Sequence, residues 1–275
     1  MTRTILVSNR LPVTVVTRDG AMQVTPSSGG LATGLSGPHA KGDGVWVGWP
    51  GPTWDVTPAE REALDAQLEA LRLAPIHLTR LEVERYYEGW ANGMLWPLFH
   101  SLLDQTPIEV TGWDEYVAVN RHFAEEIARR VRPGDTVWVH DFQLLLVPSM
   151  LRELCSQVRI GFFLHIPFPP TAILRALPHR EQLLRGLLGA DLVGFHTPSY
   201  ARHFASALKR VLGLDVGVDR LRVGTHEMRF GSFPMGVDAA GFEETAATPA
   251  VLERVAEIRG SSGDRNSKRM TPGRG

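Results

Sequence analysis

The side chains capable of chemistry stand at the ends of short apolar runs. Residues 136–140 form a β-prone run that closes in His140 and Asp141. Residues 159–164 form a second, closing in His165, and residues 190–195 a third, closing in His196. Arg10 stands just beyond a fourth run, residues 4–8. A carboxylate at such a place can accept hydrogen bonds from ligand hydroxyls, or act as a general base once burial raises its pKa. A guanidinium can form a bidentate pair with a phosphate. A lone strand-end histidine is more often a structural hydrogen-bonding group than a catalyst. Three of them together argue for a polar pocket without selecting a reaction, and His196 reads as structural. The chain holds no HExxH, GxSxG, CxxC or P-loop lysine, so the commonest zinc-hydrolase, serine-hydrolase, dithiol and nucleotide-triphosphatase signatures are missing. His140 beside Asp141 has no metal-ligand spacing.

The elements that must carry these residues follow from the pattern. Between the runs at 136–148 and 159–170 lies a helical stretch, which makes a βαβ unit with polar groups at the carboxyl ends of neighbouring parallel strands. Open α/β sheets bind ligands at that edge. Residues 4–8 and 45–51 read as further buried strands, residues 76–83 and 220–235 as short ones. A polar hairpin-like passage is expected around Asp19 and Gly20. Thr57, Pro58 and Glu60 form a capping box with proline at the first helical position. Helices are expected over 113–130, 172–189 and 198–212, the last ending at Gly213, and another begins near Val251. This alternation predicts an α/β, Rossmann-like doubly wound and mostly parallel sheet.

Two further stretches carry ligand-binding potential. Residues 26–35 are a glycine-rich turn entering a short helix, with Gly29 and Gly30 adjacent. Glycines let a ligand approach the backbone, and a helix start offers free N–H groups to an anion. The stretch matches neither common phosphate-loop pattern, so an ordinary turn remains open. Residues 84–100 are dense in rings: Tyr86, Tyr87, Trp90, Trp96 and Phe99. Core packing accounts for most of them, yet such rings beside Asn92 also have the make-up of a sugar-binding wall.

The bulk numbers narrow the class. With 275 residues, 43% hydrophobic and 21% charged, the chain can bury a large core. A net charge of −1 gives no reason to expect nucleic acid or an anionic membrane as partner. The single cysteine, Cys155, forms neither an internal disulfide nor a thiolate cage and reads as a small core residue. No run approaches the ~18 apolar residues of a membrane span, and the N-terminus has no signal-peptide pattern. A cytoplasmic protein is the expectation, with assembly into homo-oligomers left open. Residues 259–275 are polar and basic, without Val, Ile, Leu or aromatic residues, and are expected to form a disordered tail.

Taken together, Ser8–Pro12, Ser28–Leu31, Trp46–Trp49, Asn92–His100, Trp138–Asp141 and Gly161–Pro169 stand in an order and spacing that resembles the N-terminal half of trehalose-6-phosphate synthase. The resemblance covers residues 3 to about 258. It implies the N-terminal, acceptor-side domain (1–258) of a two-domain GT-B glycosyltransferase, which moves glucose from UDP-glucose to glucose 6-phosphate with retention. Carried over residue by residue, Arg10 would hold the acceptor phosphate, Tyr87 and Trp96 would face the acceptor, and Asp141 would bind its hydroxyls. Gly29 and Gly30 would approach the donor diphosphate, and His165 would contact the donor glucose. Asp141 and His165 are thereby the residues nearest the chemistry. No cofactor or metal is implied; the small-molecule partners are a sugar phosphate and a nucleotide sugar. The reaction implied is front-face, the protein mainly positioning and stabilising charge.

In this family a nucleotide-binding domain follows roughly where Arg259 stands. Here a polar stretch follows instead, so the chain is expected to be a truncated member with the donor domain absent and little or no transferase activity alone. Related readings are a glucosylglycerol-phosphate synthase, a cyclitol-coupling pseudo-glycosyltransferase, or a non-catalytic sugar-phosphate-binding domain.

Overall fold

The computed structural model describes residues 3–18, 21–27, 29–107, 111–224 and 226–267. An eight-stranded sheet is its frame, built from β1 (Thr4–Arg10), β4 (Trp46–Trp49), β5 (Leu73–Pro75), β6 (Thr136–His140), β7 (Arg159–Phe163), β8 (Leu192–Phe195), β9 (Arg220–Val223) and β10 (His226–Ser232). The strand order is β5-β4-β1-β6-β7-β8-β10-β9. Every pairing is parallel except that of β9 with β10. The chain lays down β1, β4 and β5 in one direction, then returns to β6 on the other flank of β1 and proceeds outward. The order therefore reverses between β1 and β6, and a crevice at their carboxyl ends is where such sheets take ligands.

Alternation along the strands feeds two cores. Ile5 and Val7 of β1 and Val137 and Val139 of β6 enter one apolar cluster; Leu6, Trp46 and Leu73 enter the other. Both faces are thus covered, as parallel strands require. The helices are α1 (Gly30–Lys41), α2 (Pro58–Ala70), α3 (Arg80–Glu82), α4 (Trp96–Phe99), α5 (Trp113–Arg130), α6 (Val147–Leu154), α7 (Thr171–Leu174), α8 (Arg180–Leu187), α9 (Pro198–Leu212), α10 (Ala239–Ala246) and α11 (Pro249–Ser267). The Thr57–Glu60 capping box forms with both of its hydrogen bonds. α5 and α9 have the expected bounds, and Gly213 closes α9 in the left-handed region at φ 68°. The hairpin is present as β2 (Val13–Arg18) against β3 (Ala21–Pro26); Asp19 and Gly20 lie outside the described residues.

The structure corrects several expectations. Strand β5 covers Leu73–Pro75; Ile76 N–H still donates to the Gly48 carbonyl (2.8 Å), and the chain then leaves the sheet before α3. A Thr79–Glu82 capping box starts a helix there instead. From Val83 to Leu95 the backbone then follows a π-helix. Its buried residues are Val83, Tyr86, Trp90, Ala91, Met94 and Leu95. The helix expected over 172–189 is broken into α7 and α8, with His179 left-handed at φ 54° between them. Residues 233–238 are not strand.

A second compact unit begins at Met235. This unit holds α10 and α11. Helix α11 runs on to Ser267, through residues expected to be a disordered tail. No proline interrupts 250–267, and a nucleated helix gains one hydrogen bond for each residue added. Residues 268–275 lie outside the described residues.

Candidate functional site

Strand β1 delivers Arg10 through a bulge. Its register with β4 passes from Val7 opposite Val47 to Arg10 opposite Trp49, so three steps on β1 match two on β4. A bulge at a sheet end re-aims a side chain. Gly48 permits it: a Cβ there would stand 2.8 Å from the Ser8 carbonyl oxygen and 3.0 Å from the Arg10 carbonyl carbon. The Ser8 hydroxyl donates to the Arg10 carbonyl (2.6 Å) and accepts from the Trp46 indole (2.7 Å). The buried Tyr86 hydroxyl donates to Asn9 Oδ1 (2.7 Å).

The Arg10 guanidinium lies over two rings, with its carbon 4.5 Å from the Trp49 centroid and 5.4 Å from that of Tyr87. The rings themselves meet edge to face at 5.8 Å. Trp49 is buried and Tyr87 half-buried, so the stack holds the cation in a fixed direction while its N–H donors remain available.

Asp141 comes from the carboxyl end of β6, the other side of the crevice. Its backbone has φ 76° and ψ 170°, a conformation that costs a non-glycine residue about 1–3 kcal/mol and persists only where the surroundings impose it. Here α5 imposes it. The Tyr116 hydroxyl donates to the Phe142 carbonyl (2.7 Å) and accepts from Leu145 N–H (3.2 Å). The fully buried Asn120 donates to the Gln143 carbonyl and accepts from Leu146 N–H, at 3.0 and 3.1 Å. Asp141 Oδ1 accepts from Phe142 N–H (3.0 Å) and His165 N–H (3.2 Å). Although the residue as a whole is half-buried, its carboxyl is enclosed, and desolvation raises its pKa to about 6 against the pull of those two N–H groups.

Arg10, Tyr87, Asp141 and Gly29 line one cavity of about 190 Å³ with Asn9, Gln143 and neighbours. A cation held over aromatic rings thus shares a small cavity with a carboxylate. That pairing suits a ligand carrying both an anionic group and hydroxyls. The volume is below the roughly 300–1,000 Å³ of drug-sized ligand sites, which favours one small polar molecule.

The remaining expected residues fall elsewhere. Gly30 is the exposed first residue of α1 and does not line this cavity. A Cβ on Gly29 or Gly30 would meet nothing within 4 Å, so packing does not demand glycine at either position. Trp96 is 39% exposed, stacks on His100 at 4.1 Å and is likewise absent from the lining. His165 follows β7, one strand beyond Asp141. Its Nε2 lies 3.0 Å from Nδ1 of the buried His140, and its ring is 5.6 Å from that of His196. Burial lowers the pKa of His140 to about 3 and of His165 to about 4, each helped by the neighbouring imidazole, so both rings are neutral near pH 7.

Several supporting residues escape a reading of the sequence. Trp49 reads as a strand core residue, and only the bulge shows that Arg10 rests on it. Tyr116 belongs to the buried face of α5, but its hydroxyl partners are 26 and 29 residues away. Asn120 had one available signal, a polar residue inside the apolar stripe Tyr116, Val119, Phe123, Ile127. Among the described residues no group of three or more His, Cys, Asp or Glu could hold a metal ion, and no helix is long and apolar enough to cross a membrane.

Comparison with known proteins places this geometry in context. The family model for Glycosyltransferase family 20 matches residues 2–268. The chain is 40% identical over 270 residues to trehalose-6-phosphate synthase of Mycolicibacterium gilvum, covering 94% of this chain and 54% of that one. It also resembles the E. coli trehalose-6-phosphate structure bound with UDP-2-fluoro glucose, with TM-score 0.74, 28% identity, and 94% and 55% coverage. The UDP-forming alpha,alpha-trehalose-phosphate synthase of Burkholderia xenovorans in complex with glucose-6-phosphate gives TM-score 0.73 and 27% identity, covering 94% and 56%. The chain spans about half the length of these relatives and corresponds to their N-terminal part.

Proposed function

The chain belongs to glycosyltransferase family 20, and we propose that its Arg10, Tyr87 and Asp141 form the acceptor side of a sugar-transfer cleft. In this reading the acceptor is glucose 6-phosphate and the whole protein transfers glucose to it from UDP-glucose. The observation that carries the reading is the Arg10 guanidinium fixed on Trp49 and Tyr87 inside the same small cavity as Asp141. Arg10 takes the phosphate, Tyr87 offers a ring face and a hydroxyl to the sugar, and Asp141 accepts from its hydroxyls. Relatives crystallised with glucose-6-phosphate and with UDP-2-fluoro glucose support this pairing of acceptor and donor. His165, one strand beyond, and Gly29 at the cavity wall are the described groups on the donor's side.

With both substrates seated, the enclosed Asp141 carboxylate orients the attacking hydroxyl, and the protein's contribution is alignment and fixed charge. For this chain the reading expects saturable binding of the acceptor. Isothermal titration with glucose 6-phosphate tests it. Saturable binding that weakens at least tenfold in Arg10→Ala supports the assignment. No binding, or equal affinity for glucose and glucose 6-phosphate, would refute the phosphate role of Arg10.

A further inference from the structure

The carboxyl ends of β6 and β7 carry a contact that the acceptor cavity does not use. His140, the last residue of β6, is 1% exposed, and its Nδ1 lies 3.0 Å from Nε2 of His165. Its other nitrogen, Nε2, is buried without a hydrogen-bond partner among the described residues. The His140 ring packs against Trp138 at 4.6 Å, which limits its rotation. His140 also lies opposite Phe163 in the β6–β7 register, and the backbone N–H of His165 is bound by Asp141. Both the main chain and the ring of His165 are therefore held from β6. A buried polar atom is ordinarily satisfied, since leaving it unpaired forfeits its hydration without a replacement. His140 tolerates one orphan nitrogen while its other one is committed to His165.

We propose that His140 is a positioning residue that occupies Nε2 of His165, so that His165 meets a ligand through Nδ1 alone. Two neutral imidazoles joined by one hydrogen bond share a single proton between them. The tautomer of one ring therefore sets the tautomer of the other, and Nδ1 of His165 is presented in one defined state. That the ligand at Nδ1 is a donor sugar rests on the sugar-transfer reading; the clamp itself does not.

The test is long-range ¹H–¹⁵N NMR of histidine-labelled protein near pH 7, with the full 275-residue chain. His140 and His165 should each show one fixed tautomer in the unsubstituted protein. His140→Asn places an amide atom where Nδ1 stood and should preserve the single His165 tautomer. His140→Gln, whose amide reaches the Nε2 position, and His140→Leu should release His165 to an averaged mixture. Averaged tautomers in the unsubstituted protein would overturn the proposal without any variant. So would an unchanged His165 in His140→Leu, or equal behaviour of the Asn and Gln variants, which is what a space-filling role produces. A parallel glucose 6-phosphate titration separates the two ideas. Acceptor binding with an unaffected His165 removes the clamp, whereas a responsive His165 without acceptor binding keeps the clamp and removes the sugar reading.

Discussion

Asp141 combines a strained backbone with an enclosed carboxyl, so it should cost stability at neutral pH, and Asp141→Asn should recover part of that cost. Its folded pKa of about 6 lies above the ordinary 3.8. A carboxyl raised in the folded state binds its proton more tightly there than in the unfolded chain. Its favourable contribution is therefore present below pH 3.8 and lost as pH rises through about 6. The difference is worth about 3 kcal/mol at pH 7 and about 0.5 kcal/mol at pH 4. Asparagine keeps an Oδ1 to accept from Phe142 N–H and His165 N–H, though more weakly than a carboxylate. The net gain expected at pH 7 is then about 1–3 kcal/mol, shrinking to near zero at pH 4. His140 and His165 act in the opposite sense. Their folded pKa values are lowered, so their contribution is full above 6.5 and lost as pH falls through about 4 and about 3. They act in both proteins and largely cancel in the difference. Urea unfolding followed by tryptophan fluorescence at the two pH values measures the quantity directly. A variant no more stable than the parent at pH 7, or one whose gain is the same at both pH values, would refute the desolvation argument. The same variant should bind glucose 6-phosphate about tenfold more weakly, since sites commonly trade stability for function.

Other consequences follow from the same geometry. Arg10→Lys keeps the charge but gives up the guanidinium's place over Trp49 and Tyr87, and glucose 6-phosphate affinity should fall about tenfold by titration calorimetry; unchanged affinity would mean that charge alone suffices. Gly48→Ala pushes a methyl group into the bulge beneath Arg10; about 1–3 kcal/mol of stability should be lost, with weaker acceptor binding, as read by thermal unfolding with and without ligand. Asn120→Ala leaves Leu146 N–H without its acceptor and the Gln143 carbonyl without its donor; a loss of about 2–3 kcal/mol in urea unfolding is expected, and a loss below 0.5 kcal/mol would argue against the α5 clamp on the Asp141 loop.

The parallel sheet was legible because its causes are local. Strands such as Thr136–His140 and Arg159–Phe163 are short β-prone runs cut off by polar residues, and α9 is bounded by a Thr197 cap and Gly213. The misreadings arise where a second local signal is passed over, or where the backbone geometry leaves no trace in the residue types. Residues 76–83 look strand-like, yet the Thr79–Glu82 capping box starts a helix. The aromatic segment after it is a π-helix, with Tyr86 and Trp90 in the core. Residues 172–189 read as one helix because leucine spacing does not register the left-handed turn at His179.

By itself the sequence determined that Arg10, Asp141, His165 and His196 stand at strand ends of an α/β sheet, because each ends an apolar run. Only the tertiary structure decided which of them work together. Strand order puts β1 beside β6 and so brings Arg10 and Asp141 into one cavity with Tyr87. The bulge over Gly48 rests Arg10 on Trp49, and α5 holds Asp141 in a backbone conformation that it would not adopt alone. Trp96 and Gly30, equally plausible as residue types, do not line that cavity.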